Sequence, residues 1–185
     1  MKKTVSLLLV AMIIILHPLS IPVFAETLIA TEKIQAAHDV RFSFSVFSKT
    51  LEITELGFKS TYTYVMGKLR QSCQYKELSR VNSNDCETAA IMLTDYTSVV
   101  LTVKNSEITS IVHVGSGDGT ENSGLIINCS MIATIMAVDP SATASIALDI
   151  LSELQESSGK YKTKYCSYQF VFDKDIGSVL TIEPA

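Results

Sequence analysis

The longest apolar run after the first residues of the chain extends from Leu125 to Val138 and carries no charged residue. Its only interruptions are Asn128, Ser130 and Thr134. A helix that is apolar on every side is buried in protein or in lipid. Because the run is shorter than the roughly 20 residues needed to cross a bilayer, it predicts a helix buried in a protein core.

A second helix is predicted to follow directly and to end near Gly159. Asp139 is suited to cap its N-terminus, with Pro140 at the first helical position, where a missing N–H does no harm. Its apolar residues share one helical face. They are Ile146, Ala147, Ile150, Leu151 and Leu154. The pair from Glu121 to Ser157 therefore reads as a central helix and an amphipathic helix that covers it.

The clearest β pattern is a hairpin of Ser98 to Lys104 and Glu107 to Val114, joined by Asn105 and Ser106. This loop predicts that Val103 lies opposite Ile108. Regular alternation then predicts one apolar face, on which the two helices pack. That face comprises Val99, Leu101, Val103, Ile108 and Val112. The same alternation places His113 on the opposite face.

The remaining elements are assigned from shorter patterns. A helix is predicted from Arg41 to Glu55, ended by Gly57, although the alternation of Phe42, Phe44 and Val46 with serines leaves a strand as the alternative. Strands are predicted over Thr61 to Leu69, Gln71 to Val81, Thr88 to Thr94, Lys160 to Asp173 and Ser178 to Ile182. Strands dominate one part of the chain and helices another, so the predicted fold class is α+β: an antiparallel β-meander with a buried helix and an amphipathic helix packed on one face.

Residues 1–25 have the pattern of a cleaved signal peptide. Lys2 and Lys3 precede an apolar run from Val5 to Leu16, and the residues before Ala25 fit a signal peptidase site. Cleavage after Ala25 would leave residues 26–185 as a single domain in a secreted or periplasmic protein. The alternative is an uncleaved membrane anchor, which the short apolar run disfavours.

The formal net charge is −4, and loss of Lys2 and Lys3 would make the mature chain more acidic. Binding to nucleic acid depends on neutralising phosphates with basic side chains, so the sequence argues against a nucleic-acid partner. No motif for a cofactor is present, and none is expected.

Four cysteines remain after the predicted cleavage, an even number that favours disulfides in an oxidising compartment. The expected pairs are Cys73 with Cys86, across a local loop, and Cys129 with Cys166, between the central helix and a late strand. The alternative is that they are free, buried thiols, which behave as small hydrophobes. Spacing typical of a zinc site is missing, so no metal is expected.

The loop before the central helix carries Gly115, Gly117, Asp118 and Gly119. A glycine-rich loop between a strand and a helix N-terminus can bind an anion through its amides. The phosphate-loop signature is absent, and an ordinary flexible connector is the alternative. Calcium ligation by Asp118 and its neighbours is a further alternative, although the EF-hand pattern is missing.

Catalytic groups are scarce. His113 and Asp118 are the only pair that suggests a small secreted hydrolase, and no Gly-x-Ser-x-Gly motif supplies a serine. The leading hypothesis is a non-catalytic binding module for a protein, peptide or cell-envelope component. A structural subunit of an envelope assembly is a second alternative. Tyrosines suit contact surfaces because they join apolar area to a polar tip. The expected contact residues are Tyr161, Tyr165 and Tyr168, together with the glycine-rich loop.

Overall fold

The computed structural model describes residues 50–83, 85–157 and 159–185. The predicted signal peptide and most of the predicted helix from Arg41 to Glu55 lie outside these residues. The last part of that helix is described, and residues 50–54 are not helical.

The described residues form one seven-stranded sheet and three helices, and all neighbouring strands are antiparallel. The helices are α1 (Glu55–Lys68), α2 (Glu121–Val138) and α3 (Ala144–Glu156). The strands are β1 (Lys76–Asn82), β2 (Glu87–Thr94), β3 (Thr97–Lys104), β4 (Glu107–Gly115), β5 (Lys160–Lys162), β6 (Cys166–Asp173) and β7 (Gly177–Pro184). The spatial order β1-β2-β3-β4-β7-β6-β5 joins two meanders through β4 and β7. The predicted α+β class with helices packed on the sheet is confirmed.

Helix α1 replaces the predicted strand from Thr61 to Leu69. Thr54 caps it by accepting a hydrogen bond from the backbone N–H of Gly57, and its buried residues recur at helical spacing. They are Phe58, Tyr62, Val65 and Met66. The β-branched and aromatic residues of this segment suggested a strand, but the 3.6-residue period of its buried face decides the structure.

The hairpin of β3 and β4 confirms the predicted loop and corrects the predicted register. Asn105 and Ser106 both adopt positive φ, as a type I′ turn requires, and Val103 pairs with Ile108. The pairing then shifts at a β-bulge, so that Leu101 faces Ile111. One extra residue on a strand reverses which face the later side chains occupy. Val112 therefore leaves the predicted face.

The same bulge moves His113 to the side of the sheet that carries the helices. His113 pairs with Val99 in the ladder and is fully buried. The prediction that it lies on the opposite face is wrong, because the bulge interrupts the regular alternation of side chains along the hairpin.

Helix α2 is the central helix of the three. Tyr62 of α1 reaches Ser130 on one side of it, and Gln155 of α3 donates to Asn128 on the other, at 3.4 Å. By length and composition alone this 18-residue helix, with a mean hydropathy of 1.3, could cross a membrane, but 56% of it is buried inside the protein. Burial against the sheet and both helices confirms its predicted place in the core.

The junction of α2 and α3 differs from the prediction. Asp139 is the residue after α2, while Thr143 caps α3, which begins at Ala144. Asp139 instead accepts a hydrogen bond from the backbone N–H of Ser141, an Asx turn that redirects the chain. The predicted strand from Lys160 to Asp173 is likewise divided, because residues 163–165 turn between β5 and β6.

Candidate functional site

Two of the three predicted tyrosines are exposed at one edge of the sheet, where β5 is the last strand. Tyr161 is 36% exposed and Tyr165 is 40% exposed. The ammonium group of Lys164 lies over the ring of Tyr165, 5.3 Å from its centre. Three exposed lysines share this edge, namely Lys160, Lys162 and Lys164, and they make no ion pair with the described residues. We call these two tyrosines and three lysines the tyrosine edge.

Tyr168 does not belong to this surface. It is 1% exposed, and its hydroxyl donates to Asp139 Oδ2 at 2.9 Å. Its ring lies 6.5 Å from that of Tyr161 in a tilted arrangement. Tyr168 therefore supports the tyrosine edge from below, and its predicted role as a contact residue is wrong.

Asp139 joins the end of α2 to the strands of this edge. Its carboxylate accepts from the Ser141 hydroxyl at 2.5 Å and the Ser141 amide at 2.9 Å, and from the Thr163 hydroxyl at 2.6 Å, in addition to Tyr168. Burial alone would raise the pKa of Asp139, but these hydrogen bonds outweigh it and leave the pKa below its usual value. The buried, charged carboxylate therefore connects the end of α2 to the turn between β5 and β6, and we call it the buried tie.

The glycine-rich loop packs tightly onto the first turns of α2. A Cβ atom on Gly115 would lie 2.5 Å from Ile127 Cγ2, and one on Gly117 would lie 2.7 Å from Ser123 Oγ. Both distances are too short for a real side chain. The close approach of loop and helix explains these two glycines without a bound ligand.

Asp118 occupies the position where an anion would bind. One of its oxygens accepts from the hydroxyl and the amide of Thr120, the cap of α2, at 2.7 and 3.0 Å. Tyr96 donates to the other oxygen at 3.2 Å. The hydroxyl and amide of Thr120 hold the pKa of Asp118 well below its usual range. With a carboxylate of the chain already beside the helix N-terminus, the loop is poorly suited to a second anion.

His113 lies under α2 in a network of hydroxyl groups. Its Nδ1 is 2.8 Å from Thr134 Oγ1, and its Nε2 is 3.2 Å from Ser130 Oγ. Thr134 uses its own hydrogen to donate to the Ser130 carbonyl at 2.9 Å. It must therefore accept from His113, so the neutral ring carries its hydrogen on Nδ1 and accepts through Nε2.

The Ser130 hydroxyl continues this network towards α1 and β3. Since it donates to His113, it accepts from Tyr62 at 2.7 Å and from Thr97 at 2.9 Å. Thr97 in turn lies 2.8 Å from Thr94 Oγ1. These polar side chains are all 4% exposed or less, so the network joins β2, β3, β4, α1 and α2 in the core and offers no surface to a substrate.

The pair suggested for a hydrolase is not assembled. Burial lowers the pKa of His113 to about 3, and its two nitrogens contact Ser130 and Thr134. Asp118 lies on an exposed loop and contacts Thr120 and Tyr96 instead. Among the described residues, no group of three His, Cys, Asp or Glu side chains is arranged to hold a metal ion.

All four cysteines are free in this structure. Gln74, the neighbour of Cys73, bonds to Leu93 near the end of β2, whereas Cys86 directly precedes that strand. At roughly 3.3 Å per residue the two cysteines are on the order of 20 Å apart. A disulfide needs Cα atoms within about 7 Å, so the predicted pair of Cys73 and Cys86 does not fit.

The second predicted cysteine pair fails for a similar reason. The Cys166 thiol donates to the carbonyl of Val138 at the end of α2, at 3.7 Å. Cys129 lies about 13 Å further back along the same helix, at roughly 1.5 Å per residue. Burial raises the pKa of Cys166 to about 12, so this thiol is unreactive.

One surface feature was not predicted from the sequence. Arg80 on β1 forms salt bridges with Glu55 of α1, Glu77 and Glu87, and the hydrogen bonds that it donates to Glu77 and Glu55 raise its pKa. A cleft of about 410 Å³ lies beside it, between the start of α1 and the Asn105-Ser106 turn. The three carboxylates were too far apart in sequence to suggest a cluster, and the arginine that joins them ties α1 to the sheet.

Comparison with known proteins gives no independent assignment of this arrangement. No family model, no curated protein and no solved structure matches the chain. The functional assignment therefore rests on which side chains the fold buries and which it presents to solvent.

Proposed function

We propose that the mature chain is an exported, non-catalytic binding module that contacts an acidic segment of another protein through the tyrosine edge. The observation that carries this proposal is the group of exposed tyrosines and lysines on β5 and in the turn after it, where the lysines make no ion pair with the described residues. Aromatic side chains with a polar tip dominate the energetics of protein interfaces. The lysines add attraction for carboxylates.

The backbone of β5 supports the same partner chemistry. β5 pairs with β6 on one side, and on its other side it pairs with no strand among the described residues. An unpaired edge presents N–H and C=O groups that an extended peptide can use as a further strand. An extended segment with acidic side chains would satisfy both the backbone and the lysines.

A rigid support beneath the edge favours binding, because less order has to be gained when the partner docks. Thr163, in the turn between Lys162 and Lys164, donates to the buried carboxylate of Asp139 and accepts from the amides of Tyr165 and Cys166. These bonds hold the turn that carries Tyr165 in one conformation.

The test is quantitative capture by immobilised mature protein from the medium and envelope fraction of the source cells. A Tyr161→Ala/Tyr165→Ala variant is compared with Tyr64→Ala. Tyr64 is a matched control, because it is 64% exposed on α1 and also lies under a lysine, Lys68, at 5.2 Å. We expect the double variant to bind at least about 30-fold more weakly, the equivalent of about 2 kcal/mol, and the control to bind normally.

Salt dependence tests the charge of the partner. Raising NaCl from about 0.05 M to about 0.5 M should weaken binding, because screening shortens the reach of exposed charges. Equal capture by the double variant and the wild type would refute the tyrosine edge as the contact surface. Association of the chain only with itself, seen by light scattering, would instead favour the structural assembly alternative.

A further inference from the structure

The backbone of β5 alternates between groups that bond to β6 and groups that point away from it. The amide of Phe170 donates to the carbonyl of Gly159 at 2.7 Å, and the amide of Thr163 donates to the carbonyl of Cys166 at 2.8 Å. In an antiparallel ladder such hydrogen-bonded positions recur at every second residue. The N–H and C=O groups of the two lysines of β5, which lie between these positions, therefore point to the open edge of the sheet.

The side chains of β5 divide between the two faces of the sheet in the same alternation. Tyr161 is directly opposite Tyr168 on β6, so both side chains lie on one face. This is the face of the helices, because Tyr168 donates to Asp139 at the end of α2. Successive side chains of a strand point to opposite faces, so Lys160 and Lys162 lie on the other face.

Both lysines have an uncharged neighbour on β6. Lys160 pairs with Gln169, and Lys162 pairs with Ser167. The next residue in the row of Lys162 is Glu183 on β7, which is two strand spacings or about 10 Å away, and Lys162 makes no ion pair with it. The edge therefore carries two positive charges on one face, about 7 Å apart along the strand, and an aromatic ring between them on the other face.

We infer that the strand that docks at this edge has the pattern acidic–apolar–acidic, an inference that rests on the proposed function. Such a strand pairs with the outward N–H and C=O groups of Lys160 and Lys162, and residues directly opposite one another share a face. Its two acidic side chains lie opposite the two lysines. The apolar side chain between them lies on the face of the helices, against the ring of Tyr161, which is 36% exposed.

The same register disfavours a second copy of the chain as the docking strand. If two β5 strands paired antiparallel with Tyr161 at the centre, Lys160 of one copy would lie opposite Lys162 of the other on the same face. Like charges directly opposite each other destabilise a strand pair, and lysines on sheet edges prevent such pairing in other proteins. Charge complementarity therefore favours an acidic segment over self-association.

Two fluorescent peptides of identical composition test the pattern against the protein purified after expression of the full sequence. Thr-Thr-Glu-Val-Glu-Thr-Thr has both acids on one face of a strand. Thr-Thr-Val-Glu-Glu-Thr-Thr has them on opposite faces, so only one can meet a lysine. By fluorescence anisotropy we expect the alternating peptide to bind at least about 10-fold more tightly, the equivalent of about 1.4 kcal/mol.

Methylation of single peptide nitrogens tests the backbone pairing without any change to the protein. In the docked register the N–H groups of both glutamates face β5, whereas the N–H of the valine faces solvent. N-methylation of either glutamate should weaken binding by about 10-fold, and N-methylation of the valine by less than about 3-fold.

Charge reversal locates the peptide on β5. The Lys160→Glu/Lys162→Glu variant should prefer Thr-Thr-Lys-Val-Lys-Thr-Thr to the glutamate peptide, which reverses the preference of the wild type. The matched control is Lys59→Glu/Lys68→Glu, which reverses two exposed lysines of α1 and should keep the wild-type preference. Circular dichroism of each variant confirms that the fold is intact.

Equal binding of the two glutamate peptides, or no binding of the alternating peptide at about 1 mM, would overturn the inferred pattern. If capture from the envelope fraction still depends on Tyr161 and Tyr165 in that case, the proposed function stands and only the docking of an alternating strand is wrong. If that dependence is also absent, both proposals are refuted.

Discussion

Replacement of Asp139 by asparagine tests the buried tie that supports the tyrosine edge. The carboxylate is 1% exposed and accepts four hydrogen bonds, two through Oδ1 from Ser141 and two through Oδ2 from Thr163 and Tyr168. Asparagine has nearly the same shape but only one oxygen. That oxygen must accept from the Ser141 amide, which cannot reverse its role, so the NH₂ group faces the two hydroxyls.

The expected loss of stability follows from these four contacts. Hydrogen bonds to a charged acceptor contribute about 1.5–3 kcal/mol each, against about 0.5–1.5 kcal/mol for neutral pairs. Weakening two of them costs about 2–3 kcal/mol, and removal of a buried charge offsets part of that. We expect a net loss of about 2 kcal/mol in the free energy of unfolding at pH 7. In a domain of this size the melting temperature would fall by about 4–8 °C.

The pH dependence gives a second readout of the same substitution. The pKa of Asp139 is lower in the folded protein than in the unfolded chain, where it is about 3.9. Its contribution is therefore fully present above that unfolded value and is lost as the pH falls through the folded value. The difference in stability between wild type and Asp139→Asn should shrink as the pH is lowered below about 4.

Urea denaturation followed by circular dichroism measures both effects, since the chain has no tryptophan to report by fluorescence. Asp149→Asn, on the exposed face of α3, controls for loss of a negative charge and should change stability by less than about 0.5 kcal/mol. If Asp139→Asn behaves like this control at pH 7, the reasoning about the buried tie is wrong.

Three further predictions concern other parts of the fold. His113 should keep one neutral tautomer, with hydrogen on Nδ1, between pH 8 and pH 4, because burial holds its pKa at about 3; a titration near 6.5 by NMR would contradict this. Its stabilising effect is present above the unfolded pKa of about 6.5 and falls at lower pH. Gly177→Ala should lower the melting temperature strongly, because φ is +102° there and a Cβ would overlap the carbonyl oxygen of Gly115; Gly67→Ala, in open space within α1, should instead stabilise by about 0.5–1 kcal/mol. Peptide mapping without reductant should find neither predicted cysteine pair, and detection of either would contradict the structure.

The β3–β4 hairpin shows which features of a strand pair can be predicted from sequence patterns and which cannot. The two-residue loop and the first pair could be predicted, because Asn105 and Ser106 lie between two β-rich runs. The bulge between Thr102 and Val103 could not, since no residue there has a distinctive requirement that marks it. A single inserted residue then decided which side His113 faces.

Helix α1 was missed for a different reason. Its segment is rich in threonine and tyrosine, which favour strands as isolated residues. The buried residues Phe58, Tyr62, Val65 and Met66 have helical spacing, but Leu56 and Tyr64 of the same helix are exposed, so the apolar residues do not mark one face in the sequence. Tertiary burial of one helical face overrides local preference here.

The candidate site was predictable only in part. The suitability of tyrosine for contact surfaces predicted Tyr161, Tyr165 and Tyr168 together, without a reason to separate them. The turn of residues 163–165 separates β5 from β6, and it exposes two of them while Tyr168 points to Asp139. That distinction depends on a contact between residues far apart in sequence, which no local pattern encodes.

The three polar residues inside the apolar run of α2 are explained by contacts within the fold. Ser130 and Thr134 are one helical turn apart, so they share a face and hold the two nitrogens of His113. Asn128 faces α3 and accepts from Gln155. These contacts explain why polar residues interrupt the apolar run. The surface that we propose for a partner is the tyrosine edge, whose lysines make no ion pair with the described residues.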